Sequence, residues 1–403
     1  MSDQLKDTTR SWLKAFFLLL SGLVAVALLV AAPLSGLWLY LSGELAVDRA
    51  VQAQSRGFAL FGSTVGRNAN ATLEYKLDLY KTKRPQIVLA GSAGMGSLKD
   101  TMFLRPMLNM AGTANSLSSL RASLDAMLAL HKPDVVLLAL DFWWFSSAWE
   151  KNPFAQDPRE PSPFSYTMDT LRLPWRMLLQ GDISLPQFMF MSFQEARFGI
   201  RAQFDDTGYG SDGSFYATSI ITAKRAPDAG FARTLDRQRR HIGEFAPQKA
   251  LSQAHLDALA DIYFRLRGRG IVPVVFLSPL PGELLDALKK EEALYPHLFS
   301  LRQALAERGI ELANTVDARY FSASSCEFVD GTHAGEVAAL RITNELTRVW
   351  NGLLPYINME ALNRAINEWK DHAAVASPFL PRVIEEDFLQ LGCVKRTGPA
   401  RLQ

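Results

Sequence analysis

Cysteine is almost missing from this sequence. Its 403 residues include only Cys326 and Cys393, and these two form no metal-ligand spacing, which argues against a zinc ribbon or an iron–sulfur cluster. They either pair in an oxidising compartment or stay apart as buried thiols. An excess of one charge is missing too. Lys and Arg number 43 against 41 Asp and Glu, a net charge of +2, so the overall charge gives no reason to expect nucleic acid as a partner. Histidine is scarce: His131, His241, His255, His297 and His372 form no i, i+4 pair, and neither a metal nor a cofactor is expected. Internal repeats are absent. With 48% hydrophobic and 21% charged residues, the chain is neither disordered nor fibrous.

Long apolar runs are also rare, and the exception is informative. From Ala15 to Leu41 the sequence AFFLLLSGLVAVALLVAAPLSGLWLYL carries no charge. About 20 apolar helical residues cross a bilayer core, so the run predicts a transmembrane helix over 15–41. It exceeds the apolar stretch of a cleaved signal peptide, usually about 7–15 residues. Trp12 stands at one end and Trp38 and Tyr40 at the other, where amphipathic rings favour the interface. Lys6, Arg10 and Lys14 precede the run, while Glu44 and Asp48 follow it. That asymmetry predicts a cytoplasmic tail over 1–14 and the bulk of the chain outside the cytoplasm. In a bacterium this means the inner membrane and the periplasm.

A helical stem is expected over 42–84. Beyond it, strand-like runs alternate with helical patterns. Gln86–Ala90 reads as a first strand, Met107–Met110 as a second and Val135–Leu140 (VVLLAL) as a strand covered on both faces. Leu117, Leu120, Leu124, Met127 and Leu128 make one face of a helix within Ser116–Leu130. Ile271–Leu277, Ile310–Asn314, a helix over Leu284–Arg308 and a helix over Glu336–Trp350 complete the alternation. The pattern predicts an α/β fold with a mostly parallel sheet covered by helices on both sides, over 85–355. An insertion at about 142–247 interrupts it, and 356–403 forms a C-terminal extension. The insertion holds Trp143, Trp144 and Trp149, as either a small satellite core or a sugar- or lipid-binding lid. Arg233, Arg237, Arg239 and Arg240 make a basic helix face, either solvated or meeting anionic polysaccharide or headgroups.

Sites in an open parallel sheet form at the carboxyl ends of strands. Three loops qualify. The first is the turn GSAGMGS after Ala90, with Gly91, Ser92 and Gly94. The second begins Asp141-Phe142-Trp143-Trp144. The third is FVDGTHAGEVAAL, where Asp330 and His333 stand three apart, close enough for the carboxylate to orient the imidazole as a general base.

The order of a first-strand serine turn, VVLLALDFWWF and terminal FVDGTH resembles the SGNH (GDSL-type) hydrolase superfamily. Within it, the chain looks like membrane-anchored envelope members such as the alginate O-acetylation proteins and the D-alanyl-lipoteichoic-acid transfer protein. The resemblance covers roughly 86–350 and implies a flavodoxin-like three-layer fold. It also implies acyl, chiefly acetyl, transfer to or from an envelope polysaccharide or exopolysaccharide, beside a multispanning membrane acyltransferase. Asp330 and His333 match the family's terminal D-x-x-H, and Gly112 matches the second-block glycine that supplies an oxyanion N–H. The third block normally holds Asn, where this chain has Asp141; a carboxylate cannot donate to an oxyanion. Asp141, Trp143 and Trp144 are candidates for substrate contact. The nucleophile stays open. A gapless match puts Ala93 at its position, leaving Ser92 as a turn residue and the chain catalytically silent. A one-residue slide makes Ser92 the nucleophile, with the Gly91–Gly94 turn as oxyanion donor; Ser97 is a third option. The alternative to an enzyme is a silent component that binds glycan or docks an acyltransferase or export complex.

Overall fold

The computed structural model describes residues 2–64, 69–150, 163–191, 193–225 and 228–395. Its strands, in chain order, are β1 (Leu60–Phe61), β2 (Ile87–Gly91), β3 (Met107–Ala111), β4 (Val135–Leu140), β5 (Arg197–Phe198), β6 (Gly208–Tyr209), β7 (Phe215–Tyr216), β8 (Val272–Leu277) and β9 (Leu312–Ala313). Five of them form the main sheet in the order β3-β2-β4-β8-β9, and every neighbouring pair is parallel. In this sheet's own chain order that is 2-1-3-4-5, with the direction of winding reversing between β2 and β4.

Alternate residues of each strand serve opposite faces. Val88, Ala90, Val136, Leu138 and Val275 join one core with Tyr75, Leu79, Leu120, Leu124 and Leu259. Ile87, Leu89, Leu137, Val274 and Phe276 join the other, with Ala338, Leu340, Ile342, Leu362 and Ile366. Helices Ala69–Lys83, Leu117–Leu130 and Gln253–Gly268 therefore cover one face, and Glu336–Val349 and Met359–Glu368 the other. All six residues of β4 are buried, as its unbroken apolar run requires. Ser116 caps the helix after β3 reciprocally with Ser119, which sets where that helix starts. Pro273 lies inside β8, yet β9 pairs only with Val275 and Phe276. Val272 N–H donates to Asp134, so the N–H-free Pro273 faces the side where the ladder has not begun.

The expected long helix over Leu284–Arg308 is broken. Gly282–Lys289, Pro296–Phe299 and Leu301–Ala306 are separate helices. Pro296 cannot continue a preceding helix and biases Tyr295 away from helical angles. The stem is not helical throughout: Val47–Arg56 and Ala69–Lys83 flank β1, which enters a small sheet β5-β1-β6-β7 with strands of the insertion. Trp143, Trp144 and Trp149 form no lid. They are buried in the main core, because the turn after β4 folds back over the sheet.

The apolar run lies in one helix, Ser2–Leu41, which continues through Pro33. The side chains of residues 1–11 and 23–28 lie outside the described ones, Lys6 and Arg10 among them. Among the described residues no helix is long and apolar enough to cross a membrane. Phe16, Phe17, Leu18, Leu19, Leu29 and Val30 are exposed, whereas Trp38 and Leu39 are fully buried against Leu173, Phe188 and Ile200. Glu44 is a buried fastening and not a surface flank: its carboxylate accepts from Ser63 Oγ at 2.9 Å, the Thr64 N–H and the Ile200 N–H at 2.8 Å. The two cysteines are joined, with Cα atoms 5.8 Å apart, and tie the C-terminal extension back to residue 326.

Candidate functional site

Gly91 ends β2 with φ +117°, and a Cβ there would lie 2.1 Å from the Ala139 carbonyl oxygen. Only glycine lets the chain turn this close to the neighbouring strand. Ser92 follows, its N–H bound to that same Ala139 oxygen at 2.8 Å. Its Oγ accepts from the Gly94 N–H at 2.9 Å, capping the short helix Ala93–Met95. The hydroxyl then donates to Asp141 Oδ1 at 2.6 Å. Ser92 is 1% exposed, whereas Ala93 faces solvent beside Gly112.

Asp141 begins the loop after β4, so this contact closes the crevice at the winding reversal, where a sheet of this order places its ligands. Asp141 is buried, and burial pushes its pKa from 3.8 up to about 6 against the pull of the Ser92 hydrogen bond, the nearby Ser278 hydroxyl and the charge of His333. At neutral pH it is chiefly an acceptor and gives an oxyanion nothing.

The other candidate donors are spent. Gly112 N–H donates to Gly91 at 2.9 Å, and Gly94 N–H to the Ser92 hydroxyl. The expected oxyanion roles of Gly112 and Gly94 are therefore corrected, since a donor already bonded inside the fold is not aimed at a reacting atom.

The third loop meets the first. Ala334 N–H donates to the Gly94 carbonyl at 2.9 Å, and Ser97 Oγ donates to the Ala334 carbonyl at 2.6 Å. Ser97 is thus a tie between loops. Asp330 Oδ1 accepts from the backbone of Thr332 at 2.8 Å and of His333 at 2.9 Å, and His333 Nδ1 lies 2.9 Å and 3.0 Å from the two carboxylate oxygens. The His333 side chain is 43% exposed. The Asp330 charge, opposed by burial and helped by their hydrogen bond and by Asp141, raises His333 to about 9. Although burial opposes it, the His333 charge and these hydrogen bonds hold Asp330 well below the usual carboxylate range. The Asp330 carboxylate thus favours the protonated imidazolium, which weakens His333 as a base. No hydrogen bond joins it to Ser92.

Three contributors escaped the sequence reading. Ser278 follows β8, and its buried hydroxyl lies beside Gly94 and near the Asp141 carboxylate; the carboxyl-end rule applied to β8 points to it. Arg237 pairs with Glu244 at 2.7 Å, and the charges of both act on His333. Arg237 is therefore committed, while Arg239 and Arg240 share Asp236. Among the described residues, no group of three His, Cys, Asp or Glu side chains could hold a metal ion.

Comparison with protein-family models, with characterised proteins and with solved structures finds no match to this chain.

Proposed function

We propose that this chain is an envelope protein on the SGNH-hydrolase plan that has lost its nucleophile and binds an acyl-bearing polysaccharide without turning it over. Support for the plan comes from the flavodoxin-type strand order and from the adjacency of the first-strand turn to the D-x-x-H loop. One observation carries the silence. Ser92 Oγ is buried and held by Asp141 and Gly94, and the residue open to solvent on that turn is Ala93. His333 then serves as a half-exposed cation that can hold an acyl carbonyl or a sugar carboxylate.

The uncharged run of 15–41 and the exposed apolar side chains on its described flanks support a single-pass anchor in a bacterial inner membrane. The Cys326–Cys393 disulfide supports a periplasmic position for the bulk of the chain. In that setting the partners are the glycan, membrane lipid around the helix, and a multispanning acyltransferase or export machine, with no nucleic acid. The second reading is an esterase or O-acyltransferase acting through Ser92. It is favoured by the shared rim and requires Ser92 to leave Asp141 and face His333.

The test treats the full chain in detergent with a fluorophosphonate and with an acetyl ester, and measures binding of an O-acetylated polysaccharide. The expected result is no adduct on Ser92, no turnover, and binding about tenfold weaker in His333→Ala, a factor equivalent to about 1.4 kcal/mol. Ester turnover abolished in Ser92→Ala, or an acyl adduct on Ser92, refutes the silent reading.

A further inference from the structure

A cavity of about 120 Å³ lies between the main domain and the C-terminal extension, bordered by the first and third rim loops. Phe215, Ile221, Val329, Leu380, Val383 and Ile384 contribute its apolar walls, and the extension from Trp369 to Glu385 closes one side. Three charges line this space: Lys99 and Glu336, both buried and paired at 2.5 Å, and Glu385, which is balanced by Lys395 at 2.6 Å.

The pair has a spare donor. Glu336 Oε2 takes one Lys99 N–H and also accepts from Val375 N–H at 3.0 Å. The Lys99 ammonium sits 4.4 Å from the centre of the Tyr216 ring, which faces a second N–H. An ammonium has three donors. The third has no acceptor among the described residues. A buried ion pair adds little to stability compared with apolar packing of the same volume, whereas a mainly apolar cavity with a few convergent polar groups has the form of a ligand site.

We infer that this cavity binds the acyl part of a small neutral ester, amide or ketone, with its carbonyl oxygen accepting from Lys99. Size follows from volume: a dry cavity of about 150 Å³ holds benzene, so this one holds on the order of five carbon atoms. Neutrality follows from charge, because Glu336 already balances Lys99 and a carboxylate or ammonium would enter apolar surroundings without a counter-charge. The site shares Ser97, Val329 and Glu336 with the loops at the rim, but neither Ser92 nor the Asp330–His333 pair lines it, and it does not depend on whether the rim is silent.

The probe is 2-pentanone, compared with benzene and butyrate, added to the full chain and followed by saturation-transfer NMR and thermal shift. Wild type is expected to bind 2-pentanone more tightly than either comparison compound. Ala376→Leu, which fills the cavity while keeping the ion pair, should bind about tenfold more weakly, with an unliganded melting point no lower than wild type. Lys99→Met should remove the preference for 2-pentanone over benzene. Should Lys99→Met fail to fold because Glu336 loses its partner, Ala376→Leu alone decides. No binding to wild type, equal binding to Ala376→Leu, or tighter binding of butyrate overturns the assignment.

Discussion

Replacing Asp141 with Asn should stabilise the protein, and the gain should depend on pH. Burial raises this carboxyl from 3.8 to about 6. A folded-state pKa above the unfolded one means that the stability is fully present below pH 3.8 and is lost as pH rises through 6. At about 1.4 kcal/mol per unit, the shift corresponds to roughly 3 kcal/mol above pH 7, and about half of that at pH 5. Asn keeps an acceptor for the Ser92 hydroxyl, which donates over 2.6 Å, and removes the buried charge. It forfeits the attraction to His333, which is weaker than the burial cost. The assay is urea denaturation of the full chain in detergent, followed by tryptophan fluorescence at pH 5 and pH 8. Asp141→Asn should be more stable at both, with its advantage widening by roughly 1.5 kcal/mol toward pH 8. A difference that does not change with pH, or a wild type more stable at pH 8, refutes the argument.

Ser92→Ala strands the Gly94 N–H and one side of a buried carboxylate, and should cost about 1–3 kcal/mol in the same assay. The closed loop between Cys326 and Cys393 spans 67 residues. Replacing both cysteines with Ser should cost about 4 kcal/mol on the chain-entropy account, and dithiothreitol should lower the wild-type melting point but leave the double variant unchanged. For His333, the folded pKa of about 9 lies above the unfolded 6.5. Its contribution is present below pH 6.5 and lost as pH rises through 9, so His333→Gln should flatten wild-type stability across that window; an unchanged slope contradicts the cationic assignment.

What could be read in advance was what the chain encodes locally. VVLLAL announces a strand covered on both faces, and all six residues are buried. The D-x-x-H unit is legible because its partners stand three residues apart, and the carboxylate bonds both the backbone and the ring of His333. Tertiary contributions were hidden. Glu244 and Arg237 act on His333 from another segment, and Ser278 reaches Asp141 only because β4 and β8 are neighbours. Trp143 and Trp144 showed the limit of composition: an aromatic cluster after a strand reads equally as a lid or a core, and the backward fold of the loop decides for the core. The Ser92–Ala93 choice rested on one position of a tight turn, where neighbouring side chains leave in different directions. Cysteine pairing could not be read either, since separation in sequence says nothing about separation in space.

Trp38 packs against Phe188, Phe193 and Phe204, and the Gly199 N–H donates to Ser42 at 2.8 Å. With Glu44 clasping the next turn, the long N-terminal helix enters the folded body without a swivel. Were that helix seated in a bilayer, the body could not tumble on a tether. The Asp330–His333 pair would be held at one height and one bearing above the lipid, and a partner in the same membrane would have to approach from one side.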